Sequence, residues 1–324
     1  MKEEFNDTWK NAFFASPGPD SIKSAAILSL KGLCMGSADV IPGVSGGTVA
    51  LITGIYQSLI QAIKSVDRAL VQRLLKFDLK GALAHVHARF LISLFFGIGA
   101  AILSLARLMN YLLHHYPVQT WSLFFGLIAA SILVVGKQVK NWMGLAGLCF
   151  IAGVLLASII VNLIPVATPE ALWFIFLCGI IAICAMILPG ISGAFILLIL
   201  GKYEFITATL KNPFLPQNIL VIVVFCAGCF IGLLGFSRVL GYLLQKYNNL
   251  TIAFLTGLMA GSLQKIWPWK EVIETRVIGG KVNEIWGGNT MPAAIDAEFN
   301  LAIILAVAGF IAVLLIEKLS KHRA

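Results

Sequence analysis

Apolar residues gather in long runs separated by short polar links, and the lengths of those runs predict helices. Seven runs stand out: residues 90–113, 121–135, 142–163, 171–188, 219–244, 251–263 and 301–316. A helix needs ~20 residues to cross the hydrocarbon core, so the shorter runs must borrow flanking residues or pack where the layer is thin. Two further regions, 40–63 and 187–210, are apolar but broken near their starts. The first contains Pro42, Gly43, Gly46 and Gly47; the second contains Pro189, Gly190 and Gly193.

The two broken regions are copies. Pro42-Gly43-Val44-Ser45-Gly46-Gly47 aligns with Pro189-Gly190-Ile191-Ser192-Gly193-Ala194 at an offset of 147, and eight of fifteen positions agree through Tyr56 and Tyr203, including Gly54 and Gly201. A second block aligns at an offset of 131: Arg107, Tyr111, Leu112 and Leu113 match Arg238, Tyr242, Leu243 and Leu244. Ten of the twenty-five positions from Arg107 to Ser131 agree in that block. The chain is an internal duplication.

Each copy holds five apolar elements, one before the Pro-Gly break, one after it, and three continuous helices. Whether the first two span separately or fold back as a hairpin, the number of crossings is odd. An odd number turns the second copy upside down, which is the architecture of many secondary transporters, with sites at broken helices near the midplane. The expected fold is an all-α polytopic membrane protein of two inverted-topology repeats, each with a re-entrant helical hairpin plus three transmembrane helices. The expected divisions are a tail (1–21), repeat one (22–165, with a basic loop at 64–89), repeat two (166–317, with an outer loop at 265–299) and a tail (318–324).

Charge gives the orientation. Fifteen basic residues fall in the tails and loops on one side, five (Lys211, Lys265, Lys270, Arg276, Lys281) on the other, and four (Lys31, Arg107, Lys202, Arg238) at membrane depth. Basic loops stay inside, so both termini are expected in the cytoplasm. The net charge of +9 therefore needs no anionic partner. With 59% hydrophobic and 12% charged residues, and a mean hydropathy of +0.91, composition excludes a soluble enzyme, a disordered chain and a nucleic-acid binder.

Smaller features follow. All six cysteines sit in apolar stretches and read as small hydrophobes, including the Cys226-x-x-Cys229 pair. His85, His87, His114 and His115 are not spaced for a metal, and no metal or other cofactor is expected. Phe5, Trp9 and Phe13 recur every four residues, so the N-terminal tail is expected either as a short helix on the membrane surface or as disordered chain. Residues 272–285 around Gly279-Gly280 suit a β-hairpin.

Chemistry concentrates at the breaks. Pro42 and Gly43, like Pro189 and Gly190, stop a helix, and a serine beside small residues caps the next one. Free N–H groups and the positive end of a helix dipole then form an anion site without any basic side chain. The candidate phosphate ligands are Ser45, Gly46, Gly47, Thr48, Ser192 and Gly193, with the glycines serving access for the anion rather than folding. The alternative is a kinked helix whose glycines only allow tight packing. Arg107 and Arg238 lie mid-way in apolar segments at equivalent positions and are expected to approach a common centre; snorkelling to an interface is the alternative. Asp39 and Glu204 have no acidic counterparts in the other copy. They can neutralise Lys31 or Lys202, or take up a proton or sodium ion and drive transport.

The run Ala38-Asp39-Val40-Ile41-Pro42-Gly43-Val44-Ser45-Gly46-Gly47-Thr48, with Leu188-Pro189-Gly190-Ile191-Ser192-Gly193 and Gly201-Lys202-Tyr203-Glu204, resembles the bacterial polyprenyl-phosphate translocases. The resemblance spans nearly the whole chain; the outer loop is the part that matches least. It implies a multi-pass protein of the bacterial cytoplasmic membrane that returns undecaprenyl phosphate, the lipid carrier of cell-wall precursors, from the outer to the inner leaflet. Two other classes fit parts of the pattern. Membrane undecaprenyl-pyrophosphate phosphatases carry a P-G-x-S-R-S-G motif, but here Gly46 stands in place of its arginine and no paired glutamates lie nearby. A small-anion channel or exchanger would also use helix ends at the midplane. The sequence leaves the oligomeric state open.

Overall fold

The computed structural model describes residues 8–39, 45–163, 168–278, 281–292 and 295–321, with the backbone alone for some positions inside them, among these Arg107 and residues 272–278 and 281–287 of the hairpin. The first half begins with α1 (Trp9–Ala15), α2 (Ile22–Asp39), α3 (Gly46–Ile52) and α4 (Tyr56–Lys64). The basic loop folds into α5 (Arg68–Leu75) and α6 (Leu79–His85), followed by α7 (Ala88–His115), α8 (Pro117–Gly136) and α9 (Leu145–Val161). The second half contains α10 (Leu172–Ile187), α11 (Gly193–Ile199), α12 (Tyr203–Lys211), α13 (Pro216–Lys246) and α14 (Asn248–Ser262). A 3-10 turn (Leu263–Ile266), the strands β1 (Lys270–Ile278) and β2 (Lys281–Asn289), and α15 (Ala297–Lys321) complete it.

Every one of the seven long apolar runs is a helix. Four of them, α7, α8, α13 and α15, are long and apolar enough to cross a membrane, and α9 and α10 are shorter apolar helices. Each broken region is a bent pair: α3 and α4 meet at 115°, as do α11 and α12. The chain is a multi-pass membrane protein. The bends have a cause the breaks alone do not supply. Gly54 (φ +73°) and Gly201 (φ +62°), the matched glycines, adopt the left-handed conformation that side chains disfavour. Each bent pair therefore turns at a glycine that lies beyond the Pro-Gly motif.

Helix pairing repeats in detail. α2 packs on α7 as α10 packs on α13. A Cβ on Gly32 would overlap the Leu94 carbonyl, and one on Gly179 the Phe225 carbonyl; Gly97 and Ser29 correspond in the same way to Gly228 and Phe176. All four correspondences obey the two offsets found in the sequence. The remaining helices exchange between halves: α8 packs on α15, and α14 packs on α9. Gly126 lies against the Ala306 carbonyl as Gly257 lies against that of Phe150, and Gly309 meets Leu123 as Gly153 meets Phe254. These contacts extend the duplication into the fifth helix at an offset of 156. Small residues at such crossings let backbones touch, which is how apolar helices gain packing where no hydrophobic force separates them from lipid.

The segment that carries α1 is tied down. α1 packs on α6, and Ser16 at its C-terminus is fully buried. The Ala88 N–H donates to Ser16 Oγ (2.7 Å), while Arg89 Nε donates to the Ser16 carbonyl (2.7 Å) and Nη1 to Pro19 (3.0 Å). The tail thus docks on the protein from residue 8 onward. β1 and β2 form an antiparallel hairpin with Ile278 opposite Lys281, as the turn signal at 279–280 predicts, and longer than the sequence pattern indicates.

Candidate functional site

The two breaks meet. A helix leaves its last carbonyls without intrahelical partners, and at the end of α10 these are supplied by the first half. Tyr56 donates its hydroxyl to the Ile187 carbonyl (3.0 Å), and Ser45 Oγ donates to that of Leu188 (3.1 Å). In return, the Gly190 N–H donates to Thr48 Oγ1 (3.0 Å). Gly190 has φ +85°, and a Cβ there would lie 2.9 Å from Met259 Cα on α14, so the turn requires glycine twice over. Tyr56, Ser45 and Thr48 are all buried.

At the start of α3 the predicted donors are present and engaged. Ser45 caps the helix, accepting from the Gly47 N–H (3.2 Å). The Gly46 N–H donates to Asp39 Oδ1 at 2.7 Å. A carboxylate of the chain itself therefore stands where an anion was expected. The second break is not equivalent. Ser192 makes no capping bond, Phe195 replaces Thr48, and Met186 replaces Asp39. Polar chemistry at the junction comes from the first half, and backbone from the second.

Other predicted residues fall elsewhere. The lysines do not pair with Asp39 or Glu204: Lys31 Nζ donates to the Thr53 carbonyl at the end of α3 (2.8 Å), and Lys202 Nζ to that of Thr168 (2.7 Å). Glu204 is exposed in the first turn of α12. Arg238 is exposed on α13 and donates to the carbonyls of Leu234 (2.7 Å) and Val66 (3.0 Å), not to the junction. Pro42, Gly43 and the Arg107 side chain lie outside the described residues.

The expectation that the glycines serve access alone needs correction. A Cβ on Gly47 would come 2.7 Å from the Ile187 carbonyl oxygen, and one on Gly193 2.6 Å from that of Ala182. Both are packing positions. Gly46 differs, since the three atoms nearest its Cβ would all belong to the Asp39 carboxylate rather than to backbone.

Beside the junction lies an apolar cavity of about 240 Å³ between α2, α3, α8 and α15, lined by residues including Ala38, Thr48, Ile52, Leu127 and Val313. Thr48 belongs both to its wall and to the junction. Thr48→Val is expected to leave the Gly190 N–H unpaired and cost about 1–3 kcal/mol. Thr48→Ser should restore it, and thermal unfolding in detergent measures both. Alignment of the copies marks Tyr56, Gly54 and Gly201 as matched, but nothing in the sequence says what the tyrosine bonds or that the glycines bend the chain.

A family model described as VCA0040-like, undecaprenyl phosphate translocase-like, matches residues 35–282. The chain belongs to this family. It is 42% identical over 296 residues to a polyprenyl-phosphate transporter of Vibrio cholerae serotype O1, covering 89% of this chain and 95% of that protein. A second relative named polyprenyl-phosphate transporter, from Staphylococcus aureus, is 31% identical over 256 residues, covering 74% of this chain and 85% of its own. No solved structure matches. The family match encloses both breaks and every junction residue named above.

Proposed function

We propose that this member of the translocase-like family carries undecaprenyl phosphate from the outer to the inner leaflet of the bacterial cytoplasmic membrane, returning the carrier for envelope synthesis. Both termini then face the cytoplasm, on the side of the basic loop. The halves cross the membrane in opposite senses, so the junction of the two breaks sits at membrane depth. The observation that carries the reading is the adjacency of a carboxylate-capped helix end and an apolar cavity that share Thr48. An amphiphile with an anionic head and an isoprenoid tail has the same two faces. Its phosphate would take the place of the Asp39 carboxylate on α3, with Ser45, Gly46 and Thr48 as near neighbours and Ser192 and Gly193 across the junction. Arg238 and Arg107, on equivalent faces of α13 and α7, would meet the headgroup on its way in or out.

The test is reconstitution of the purified chain in liposomes, with three readouts on one preparation. Translocation of undecaprenyl phosphate is expected without phosphate release from the pyrophosphate and without flux of small anions. Phosphate release would move the protein to the phosphatase class, and anion flux alone to the channel class.

A further inference from the structure

The end of the bundle that carries the β-hairpin holds a second polar cluster. A cavity of about 230 Å³ lies beneath β2, between the C-termini of α9 and α14, and is lined by Asn162, Gln264, Lys265, Lys270 and Asn289. Both lysines are half-buried, and among the described residues neither forms an ion pair with a carboxylate. Their ammonium groups rest on aromatic faces instead: Lys265 Nζ lies 4.4 Å from the Phe195 ring centre on α11, and Lys270 Nζ 4.7 Å from that of Trp121 on α8. Lys270 Nζ also donates to the Lys265 carbonyl (2.5 Å). Each ammonium has three donors, so most of this hydrogen-bonding capacity is uncommitted. The amides of Asn162, Gln264 and Asn289 each donate one N–H to a main-chain carbonyl and keep another.

Two half-desolvated cations that border one polar cavity, with no carboxylate paired to either among the described residues, favour a compact dianion. A phosphate monoester carries ≈ −1.5 to −2 charges near pH 7, and lysine binds phosphate as a point charge. The surroundings place the cluster at interfacial depth. Trp121, Trp267, Trp269 and Phe299 gather beside it, with Trp269 stacked on Phe299 at 5.7 Å between ring centres, and such aromatic residues concentrate at membrane–water boundaries. A lipid headgroup lies at that depth. Lys265 also touches α11 at its third residue, which links the cavity to the second break.

We propose that Lys265 and Lys270, with the amides of Asn162, Gln264 and Asn289, form a phosphate-monoester site under the β-hairpin where the lipid headgroup docks before it reaches the junction. The lipid part of this inference rests on the function proposed above. The site gives the hairpin loop a role: it closes one side of the cavity.

The experiment uses the full chain in phosphatidylcholine vesicles and measures binding of two probes, undecaprenyl phosphate and inorganic phosphate. Lys265→Gln with Lys270→Gln is expected to weaken binding of both probes at least tenfold while thermal stability holds, and Lys265→Arg with Lys270→Arg to retain it. pH supplies an independent readout. Burial first, and then neighbouring Lys265, pushes Lys270 down to about 8; Asp296 and Glu298 at the start of α15 are the acidic groups bordering the aromatic side of Lys270. Wild-type affinity should therefore fall about tenfold between pH 7 and pH 9, as Lys270 loses its proton while the monoester stays dianionic. Lys270→Arg should remove that fall. Unchanged binding of both probes by the double glutamine variant overturns the site, and continued lipid transport by wild type would leave the functional reading standing. Lysine-dependent binding of inorganic phosphate without lipid phosphate would keep the site and defeat the lipid reading. Binding of neither probe by wild type would overturn both.

Discussion

Alanine in place of Gly126 or Gly257 is expected to destabilise the protein by about 2–3 kcal/mol, whereas alanine at Gly99 or Gly235 should change stability by no more than about 1 kcal/mol. All four glycines lie within helices of the membrane bundle, so helix propensity does not separate them. Contact does. A Cβ on Gly126 or Gly257 overlaps a backbone carbonyl of the partner helix, and a backbone cannot rotate aside as a side chain can. Nothing lies within 4 Å of a Cβ on Gly99 or Gly235. Typical proteins are stable by only about 5–15 kcal/mol, so the first pair should show as a large drop in thermal midpoint in detergent. Equal losses at Gly126 and Gly257 are expected, because they occupy equivalent places on exchanged helix pairs. A loss at one alone would mean that only one of those pairs governs stability.

Asp39→Asn is expected to raise the affinity for undecaprenyl phosphate about tenfold and to slow its turnover. The carboxylate holds the Gly46 N–H at 2.7 Å, and a bond to a charged group contributes ≈ 1.5–3 kcal/mol. An incoming phosphate must break that bond and approach a like charge. Asparagine keeps the shape and an acceptor oxygen, but it competes as a neutral group. Tenfold corresponds to about 1.4 kcal/mol, within the difference between charged and neutral hydrogen bonds. Turnover slows because the native carboxylate helps expel the headgroup when it returns to its own helix end. Equilibrium binding in detergent and transport in liposomes measure the two effects separately. Weaker binding in Asp39→Asn would show that the carboxylate assists the ligand, and the displacement scheme would fall.

The helices and the duplication were legible because apolar run length and offset are one-dimensional properties. Residues 219–244 announce a helix by composition alone, and the matched pairs Ser45/Ser192 and Gly54/Gly201 need only alignment. The β-hairpin was legible from Gly279-Gly280 between strand-forming residues. Partners across the chain were not. Nothing in the sequence near Asp39 says that its carboxylate turns back to Gly46 rather than to Lys31, since that choice depends on where the chain goes after Pro42. The exchange of α9 and α15 was equally hidden: Gly153 and Gly309 look like any glycine in an apolar run until their partners are known. The Lys265/Lys270 cavity needs the end of α9 and the end of β2 to come against the turn that joins α14 to β1, and Asn162 is remote from that turn in sequence.

The exchange also bears on how the protein is made. α8 finds its partner in α15, which is synthesised long after it, and α9 must wait for α14. At ≈ 5–20 residues per second, Gly126 is in the membrane on the order of ten seconds or longer before Ala306 is synthesised. Through that interval the glycine faces of α8 and α9 meet lipid or a chaperone, and the first half cannot close by itself. A chain cut short before residue 297 would carry every junction residue yet leave α8 without its main packing surface. Nascent-chain surveillance in the membrane would meet such a truncation as an open helix rather than as a smaller working transporter.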